Sequence, residues 1–571
     1  MKKIFKVTVL GLIGMGLVTS CTLDEVNYSS STTSNYIVSE TQYEELVNAA
    51  YMYMRPLFNS TATHCMWYGT DIYSRTGQLN DSQLGLDDYS YIDPSDGGMY
   101  NFWCKNYDII TKTNVAMTRG ESLALSEEIS KRRTAEMLTL RAYAYFNLVE
   151  TFGGVPLILS EITSPTYDFP RDTEEQVYSQ IVTDLETAIN SNALYTTLSG
   201  TENFGRVGLG MAKHLLGKVL LTRSYKTFAV QNDLSRAIEL FKDVIDLHPM
   251  VSSWDILFNA QDGGHYDNDN TEVIFSIRFS TNILYNSLVS SGMYQHFHPQ
   301  LDKWPGNNHR GAPYWRGDLS YRAGEDYLAS FDETDIRAGE TYLIRSVKAG
   351  VAGTAAVAGT EKRFAIGDEV IYFPKEEWTE AQKEKYYAEH PSVYLVCNPS
   401  EYTTLFAVGG QNVVYPMIYK FYDAGVQEYT GSVNENEDPK GTRDIYVFRT
   451  AETKLLLAEA YLKNNEPGLA AAQVNDIRHR AGFDASTDLV TVTLDDILDE
   501  SGRELFGESN RWMDLKRCNK LFERAYKYNQ YVRRHHVSAN DIDSYFLVRP
   551  IPQTEIDRSN KTLVQNPGYA Q

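Results

Sequence analysis

The run Leu138-Thr139-Leu140-Arg141-Ala142-Tyr143-Ala144-Tyr145-Phe146-Asn147-Leu148-Val149, closed by Phe152-Gly153-Gly154-Val155-Pro156, decides the fold class. Leu138, Ala142, Tyr145, Phe146 and Val149 recur at i, i+4, i+7, i+8 and i+11, which is one face of a helix. Leu140, Ala144 and Leu148 line another face. A helix that is apolar on most sides lies between other helices rather than on a surface. Ala142 and Ala144 let those neighbours come close. Glycine at 153 and 154 can take a positive φ, and Pro156 forbids continuation, so the helix stops there.

Working outward, helical periodicity covers about 41–58, 101–119, 127–151, 172–192, 206–228 and 233–247, then 446–464, 467–481, 494–507 and 510–526. Two stretches echo the 34-residue tetratricopeptide unit. Ala237-x3-Phe241 with Pro249 eight residues on has the form of a second helix, and Leu457-Ala458-x2-Tyr461, with Ala470 after it, that of a first. Any antiparallel helix pair needs small residues where it crosses, and no strict period links the two. The expectation is a mostly α fold: a tetratricopeptide-like helical scaffold with degenerate repeats.

Between about 261 and 440 the pattern changes. Residues 272–279 alternate and predict a strand, and much of the chain from 280 to 440 is rich in Gly, Asp, Asn and Tyr, predicting a loop-rich region with short strands. The division expected is 1–20, 21–40, 41–260, 261–440 and 441–571, with 41–571 as one compact unit. Loops on a helical scaffold are where recognition is usually placed.

The first segment is a leader. Lys2, Lys3 and Lys6 precede an uncharged run from Val7 to Val18, and Val18-Thr19-Ser20-Cys21 closes it. Twelve residues are too few to span a bilayer, which takes about 20. A secretory signal closes on small residues, and a cysteine at this point resembles a bacterial lipobox, making Cys21 the expected lipidated first residue of the mature chain. Residues 22–40, rich in Ser, Thr and Asn, read as a tether, and Asp24 and Glu25 resemble surface-export signals of Bacteroidetes lipoproteins. The net charge of −22 becomes −25 once the three leader lysines are removed. Nucleic acid and anionic lipid both need a positive surface, so neither is an expected partner. Lipid, not charge, would hold the protein to a membrane.

Four further cysteines, Cys65, Cys104, Cys397 and Cys518, are scattered without a C-x-x-C pair. An exported chain allows one or two disulfides, and buried thiols fit as well. The sequence contains no G-x-S-x-G, G-x-x-x-x-G-K-[ST] or H-E-x-x-H motif. His296-x-His298 and His535-His536 lack further ligands, so no metal is expected. Asp262, Asp267, Asn268, Asp269 and Asn270 offer oxygens for calcium, but without EF-hand spacing a solvated turn fits better. No cofactor is expected. Glu504 and Glu508, one helical turn apart, have the form of a catalytic carboxylate pair. Arg503, Arg511 and Arg517 surround them in sequence, which predicts a neutralised structural network instead.

Forty tyrosines bring the aromatic content to 12%. Rings with an apolar face and a polar edge suit sugars or peptides. Two irregular segments mix them with hydrogen-bonding groups. One holds Trp67, Tyr68, Asp71, Tyr73, Arg75, Asn80, Tyr89 and Tyr91; the other holds Trp304, Asn307, His309, Arg310, Tyr314 and Trp315. Trp304 and Trp315 are the favoured platforms, because tryptophan in a Gly/Pro/Asn loop has less core to join. The bland alternative is that they plug the loop onto the helices. Trp103 and Trp512, on helices, are assigned to core.

Four segments in order resemble the SusD/RagB family of outer-membrane nutrient-binding lipoproteins. They are Leu140 to Phe146 running on to Gly153-Gly154-Val155-Pro156-Leu157; Arg449 to Tyr461 leading to Asn475-x-x-Arg478-x-Arg480-Ala481-Gly482; Arg503-Glu504-Leu505-Phe506-x-Glu508-x-x-Arg511-Trp512-x-Asp514-Leu515-x-Arg517; and Pro550-Ile551-Pro552 with Gln565-Asn566-Pro567-Gly568-Tyr569. With the lipobox they cover essentially the whole chain. The resemblance implies a non-enzymatic glycan-binding lipoprotein on the outer-membrane surface. It implies that the two aromatic segments form the ligand face, and that a SusC-like TonB-dependent transporter receives the captured oligosaccharide. Trp304→Ala or Trp315→Ala is then expected to weaken glycan retention without disturbing the fold. Peptide capture, as in RagB-like relatives, is the alternative, and a surface hydrolase a more distant one.

Overall fold

The computed structural model describes residues 39–76, 81–198, 203–258, 270–280, 291–307, 321–339, 342–357, 360–404, 413–422, 441–560 and 562–569. Ser39 and Glu40 cap and begin the first helix, while residues 1–20, Cys21 and the expected tether as far as residue 38 lie outside the described residues. So do Asn80, His309, Arg310, Tyr314 and Trp315, and every candidate calcium ligand except Asn270.

Helices α1 (Glu40–Met52), α2 (Gly97–Glu121), α3 (Glu127–Phe152), α4 (Glu174–Asn190), α5 (Leu209–Arg223) and α6 (Asp233–Leu247) form the first half. From α2 to α6 each helix packs on the next. α3 is the central member, with every residue from Ala135 to Phe152 buried. Ser126 caps its start by accepting a hydrogen bond from the Ile129 amide. Gly153, at φ +73°, ends it and donates its amide to the Val149 carbonyl at 2.9 Å. α4 opens with a reciprocal capping box between Thr173 and Gln176.

The array does not stop at α6. α6 packs on α7 (Thr450–Lys463), some 200 residues further along the chain, and α7 packs on α8 (Pro467–Arg480) and α9 (Leu494–Leu505). The sequence between is therefore an insertion into a continuous helical array. The strands β1 (Val273–Ile277) and β2 (Ile445–Arg449) bracket it as an antiparallel pair, with Ile277 opposite Ile445 and Val273 opposite Arg449. The small residues of the repeat echo sit at helix crossings. Ala237 is fully buried, and a Cβ on Gly217 of α5 would stand 2.6 Å from the ring of Phe241 in α6. Ala458 and Ala470 belong to a second hydrophobic cluster between α7 and α8. The fold is mostly helical and tetratricopeptide-like.

Three expected helices are broken, the first being 41–58, which divides into α1 and the short helix Arg55–Phe58. The 494–507 pattern ends at Leu505, where Phe506 turns out of helix and Gly507 takes φ +76° against the ring of Phe421. The 510–526 pattern divides into α10 (Arg511–Arg517) and α11 (Leu521–Tyr528) around Asn519, at φ +57°. Both halves keep an apolar face, so periodicity alone does not reveal the breaks. No helix among the described residues is long and apolar enough to cross a membrane.

The insertion carries short strand pairs, such as Ser346–Lys348 beside Glu369–Tyr372, and the surface helix Glu380–Glu389. Its Val347, Val370, Ile371, Phe373 and Tyr394 are buried in the same hydrophobic cluster as Tyr43, Leu148 and Tyr569. Cys65, Cys104, Cys397 and Cys518 are free thiols, so the disulfide option is not taken among them.

Candidate functional site

The first aromatic segment meets the chain that follows the second, at residues 321–324. Tyr73 and Ser74 pair antiparallel with Ala323 and Arg322, and the Gly324 amide donates to the Ile72 carbonyl at 2.9 Å. Between them lies a nest of rings. Trp67 is 4.9 Å from Tyr321, edge to face, 5.2 Å from Phe297 and 5.6 Å from Tyr73, where the rings stack. Thr63 and Tyr321 share a hydroxyl hydrogen bond at 2.8 Å.

These rings form a floor, not a platform. Trp67 is wholly buried, its indole N–H donating to the Ser509 carbonyl at 3.1 Å. Tyr68, Tyr73 and Tyr89 are also buried; Tyr73 accepts from the Gly507 amide, and Tyr89 donates to the Gly69 carbonyl. Asp71 accepts from Arg511 at 2.8 and 2.7 Å and from Arg524 at 2.6 Å. Burial opposes its ionisation, but the two guanidiniums outweigh burial and hold its carboxyl at about 2. Arg75 is spent internally too, lying 3.9 Å from the ring of Tyr531 and 3.3 Å from the Asp88 carboxylate. The expectation that Trp67, Asp71, Tyr73, Arg75 and Tyr89 face a ligand is therefore corrected: they fasten the segment to the scaffold.

Trp304 is corrected in the same way. It is fully buried, because residues 304–307 are clamped onto the insertion. Gly306 accepts from the amides of Gly350 and Val351, at 2.9 and 3.0 Å, and Tyr394 donates to the Pro305 carbonyl at 2.9 Å. By composition a Gly/Pro-rich loop offers tryptophan no core to join, but the insertion's short strands bring one. Asn307 is 1% exposed, and neither of its side-chain amide atoms has a hydrogen-bond partner among the described residues.

Tyr91 differs, standing 60% exposed. Tyr89, at φ +57°, turns the chain back across the helix Asp81–Asp88, and Gly85 admits it, since a Cβ there would lie 1.5 Å from the Tyr91 carbonyl oxygen. Sequence reading passed over a second partly open group in the insertion. Tyr372 stacks on Tyr386 at 4.6 Å, Tyr386 stacks on His390 at 4.0 Å, and Trp378 packs 5.2 Å from Tyr386. All four are half-buried. The available signal was the aromatic spacing of the short helix, Tyr386 and His390 at i and i+4.

The Glu504–Glu508 pair forms a charge network, as expected, but with other partners. Glu504 accepts from Arg449 at 2.5 Å, from Arg337 at 2.9 Å and from Arg480. Glu508 takes Arg449 and Lys420, each at 2.5 Å. Of the arginines expected around the pair, Arg511 goes to Asp71, Arg517 to Glu459 and Asp514, and Arg503 to Glu500. Burial resists the charge on Glu504, yet Arg480, Arg449 and Arg337 hold its carboxyl down at about 2. Lys420, ringed by Trp254, Phe258, Tyr342 and Phe421 at 5.1–5.8 Å, is pulled down by burial to about 8, against the attraction of Glu508. A carboxylate fixed by this many cations has no proton to exchange at neutral pH. Trp103 and Trp512 are buried. Among the described residues no group of three His, Cys, Asp or Glu side chains is placed to hold a metal ion.

Comparison with known proteins identifies the family. Residues 271–569 match the family described as "SusD family", and residues 22–197 match one described as "Starch-binding associating with outer membrane". A SusD-like protein of Bacteroides ovatus is 23% identical over 435 residues, 74% of this chain and 65% of that protein. The starch-binding protein SusD of Bacteroides thetaiotaomicron is 32% identical over 126 residues, 22% of each chain. Among solved structures, a laminarin-binding SusD-like protein aligns with a TM-score of 0.65 at 22% identity, covering 93% of this chain and 100% of the other. Surface glycan-binding protein A of Bacteroides thetaiotaomicron, in complex with laminarihexaose, aligns at 0.64 and 21% identity, covering 92% and 99%. The interrupted helical array and the family match over more than half its length make this chain a member of the SusD family.

Proposed function

We propose that this protein is a cell-surface, glycan-binding lipoprotein that captures oligosaccharides and passes them to a TonB-dependent transporter of the outer membrane. Cys21 would carry the lipid. The protein would act by binding and release, with no bond broken. The relatives named for starch and laminarin supply the ligand class.

One observation carries the reading. The chain from 308 to 320, which contains His309, Arg310, Tyr314 and Trp315, leaves and re-enters the described structure at two fixed points. Asn307 is held through its backbone to Trp304, and Tyr321 is locked against Trp67 and Thr63. Those roots are part of the described structure, and the candidate residues between them lie outside it. Near those roots lie the unpaired amide of Asn307, suited to a hydroxyl group, and the 61–76 floor. Tyr91, and the Tyr372–Trp378–Tyr386 group, add rings with open faces. The tightly paired Glu504 and Glu508 speak against the hydrolase alternative.

The test is retention of the purified protein in native gels containing starch or laminarin, beside Trp315→Ala. Retarded migration that Trp315→Ala relieves supports the reading. Unchanged migration in both gels, or turnover of either polysaccharide, refutes it. Radiolabelled palmitate incorporated by the natural chain and not by Cys21→Ser tests the anchor.

A further inference from the structure

A second place on the molecule has the chemistry of a sugar site. A cleft of about 520 Å³ runs between α2, the extended strap 156–169 and the C-terminal segment 555–563. None of its lining residues belongs to the two aromatic segments already described. Tyr107 on α2 is the half-buried aromatic of the wall, backed by the buried Trp103, one helical turn earlier, whose ring lies 5.0 Å away. Opposite stands Tyr167, 59% exposed, on a strap pinned at both ends: Tyr107 donates to the Pro156 carbonyl at 2.9 Å, and the Phe169 amide donates to Thr562 at 3.1 Å. Asp108, Glu555 and Arg558 are the charged groups of the lining, with Glu555 and Arg558 paired at 3.1 Å.

We infer that this cleft is a second, separate binding site for a neutral oligosaccharide. Its volume lies within the range of small-molecule sites, roughly 300–1,000 Å³. Aromatic walls receive the C–H faces of pyranose rings. The carboxylates accept from hydroxyl groups and the guanidinium donates to their oxygens. Asp108 and Glu555, on a chain of net charge −22, disfavour an acidic glycan. Two sites on one protein hold a long polymer more firmly than either alone, because the second engagement is intramolecular. The choice of ligand class rests on the function proposed above; the site itself does not.

Cys104 lines the cleft and is half-buried, whereas Cys65, Cys397 and Cys518 are buried, so its thiol reports on this cleft alone. The experiment is alkylation of Cys104 in the otherwise complete chain carrying Cys21→Ser, with laminarihexaose or maltohexaose added. At ten times the dissociation constant, occupancy slows labelling by about tenfold. Tyr167→Ala abolishes that protection while its labelling rate without sugar and its urea midpoint stay unchanged. Trp315→Ala keeps the protection. Labelling that neither sugar slows, while starch or laminarin gels still retard the protein, overturns the second site and leaves the proposed function standing. Protection that vanishes in Trp315→Ala also overturns it, by placing the effect at the other face. Failure of both gels and labelling overturns both proposals.

Discussion

Two groups of aromatic rings teach opposite lessons. The group around Trp67, Tyr73, Phe297 and Tyr321 is sealed, and its polar edges are used up: indole to the Ser509 carbonyl, phenol to Thr63, phenol from the Gly507 amide. The group around Tyr372, Trp378, Tyr386 and His390 stacks as closely but lies half-buried where a short strand meets the surface helix Glu380–Glu389. Ring content and loop composition are similar in both. The difference is that strand pairing and helix ends close over the first group, while nothing among the described residues closes over the second. Aromatic density therefore marks both floor and face, and only exposure separates them.

The largest effect should come from beneath the floor. Arg449 links Glu272, Glu504 and Glu508 with almost no exposure, tying the insertion's neck to α9. Removing one partner of a buried ion pair costs about 3–5 kcal/mol, so Arg449→Ala should lower the unfolding free energy by that amount in urea. A loss near zero would show that the network does not hold the two parts together. Next, Trp67→Ala and Trp304→Ala should each cost about 3–5 kcal/mol by opening a cavity. Glycan bound per folded molecule should stay unchanged. A variant of full stability with weakened glycan binding would move that tryptophan from floor to face.

Acid should attack the sealed region before the open one. His64 and His298 are held neutral by burial, near 3 and 4 rather than 6.5, with His296 and Arg549 adding to the effect at His64. The unfolded chain binds their protons first, so their contribution is complete above about pH 6.5 and fades below it. Asp71 and Glu504, lowered to about 2 from 3.8 and 4.5, contribute fully above those ordinary values and lose the contribution as pH falls towards 2. All four act in one direction, but Asp87 and Asp444, raised by burial to about 6 and about 7, gain stability as pH falls through those values and offset the histidines, so the net loss should come as pH falls from 4.5 towards 2. Stability that does not fall between pH 4.5 and 2 would contradict the carboxylate contribution. The smallest effect belongs to the open rings. Tyr91→Ala and Trp378→Ala should each weaken glycan binding by about 1 kcal/mol. Tyr91→Ala should leave stability within about 0.5 kcal/mol.

Much of the scaffold was legible in the chain. The alternation of small and large apolar residues in α3 predicted a buried helix, and Ala237-x3-Phe241 a close crossing, because helix faces are local consequences of spacing. The strand at 272–279 was legible for the same reason. The breaks at Phe506-Gly507 and at Asn519 were not, since the apolar stripe runs through both. In the site, Trp67, Asp71, Tyr73, Arg75, Tyr89 and Trp304 were given the wrong direction. Tryptophan in a loop reads as exposed only until the loop's own partners are known.

The amino-acid order thus determined which stretches coil, where they stop and which faces they bury, because these depend on residues three or four positions apart. It also placed Lys2, Lys3 and Lys6 and an uncharged run ahead of Cys21. Only the tertiary structure decided which carboxylate meets which arginine, that the helical array resumes after 200 residues, and which rings keep a face to water. Each of those depends on groups far apart in the chain, whose contact no local spacing encodes.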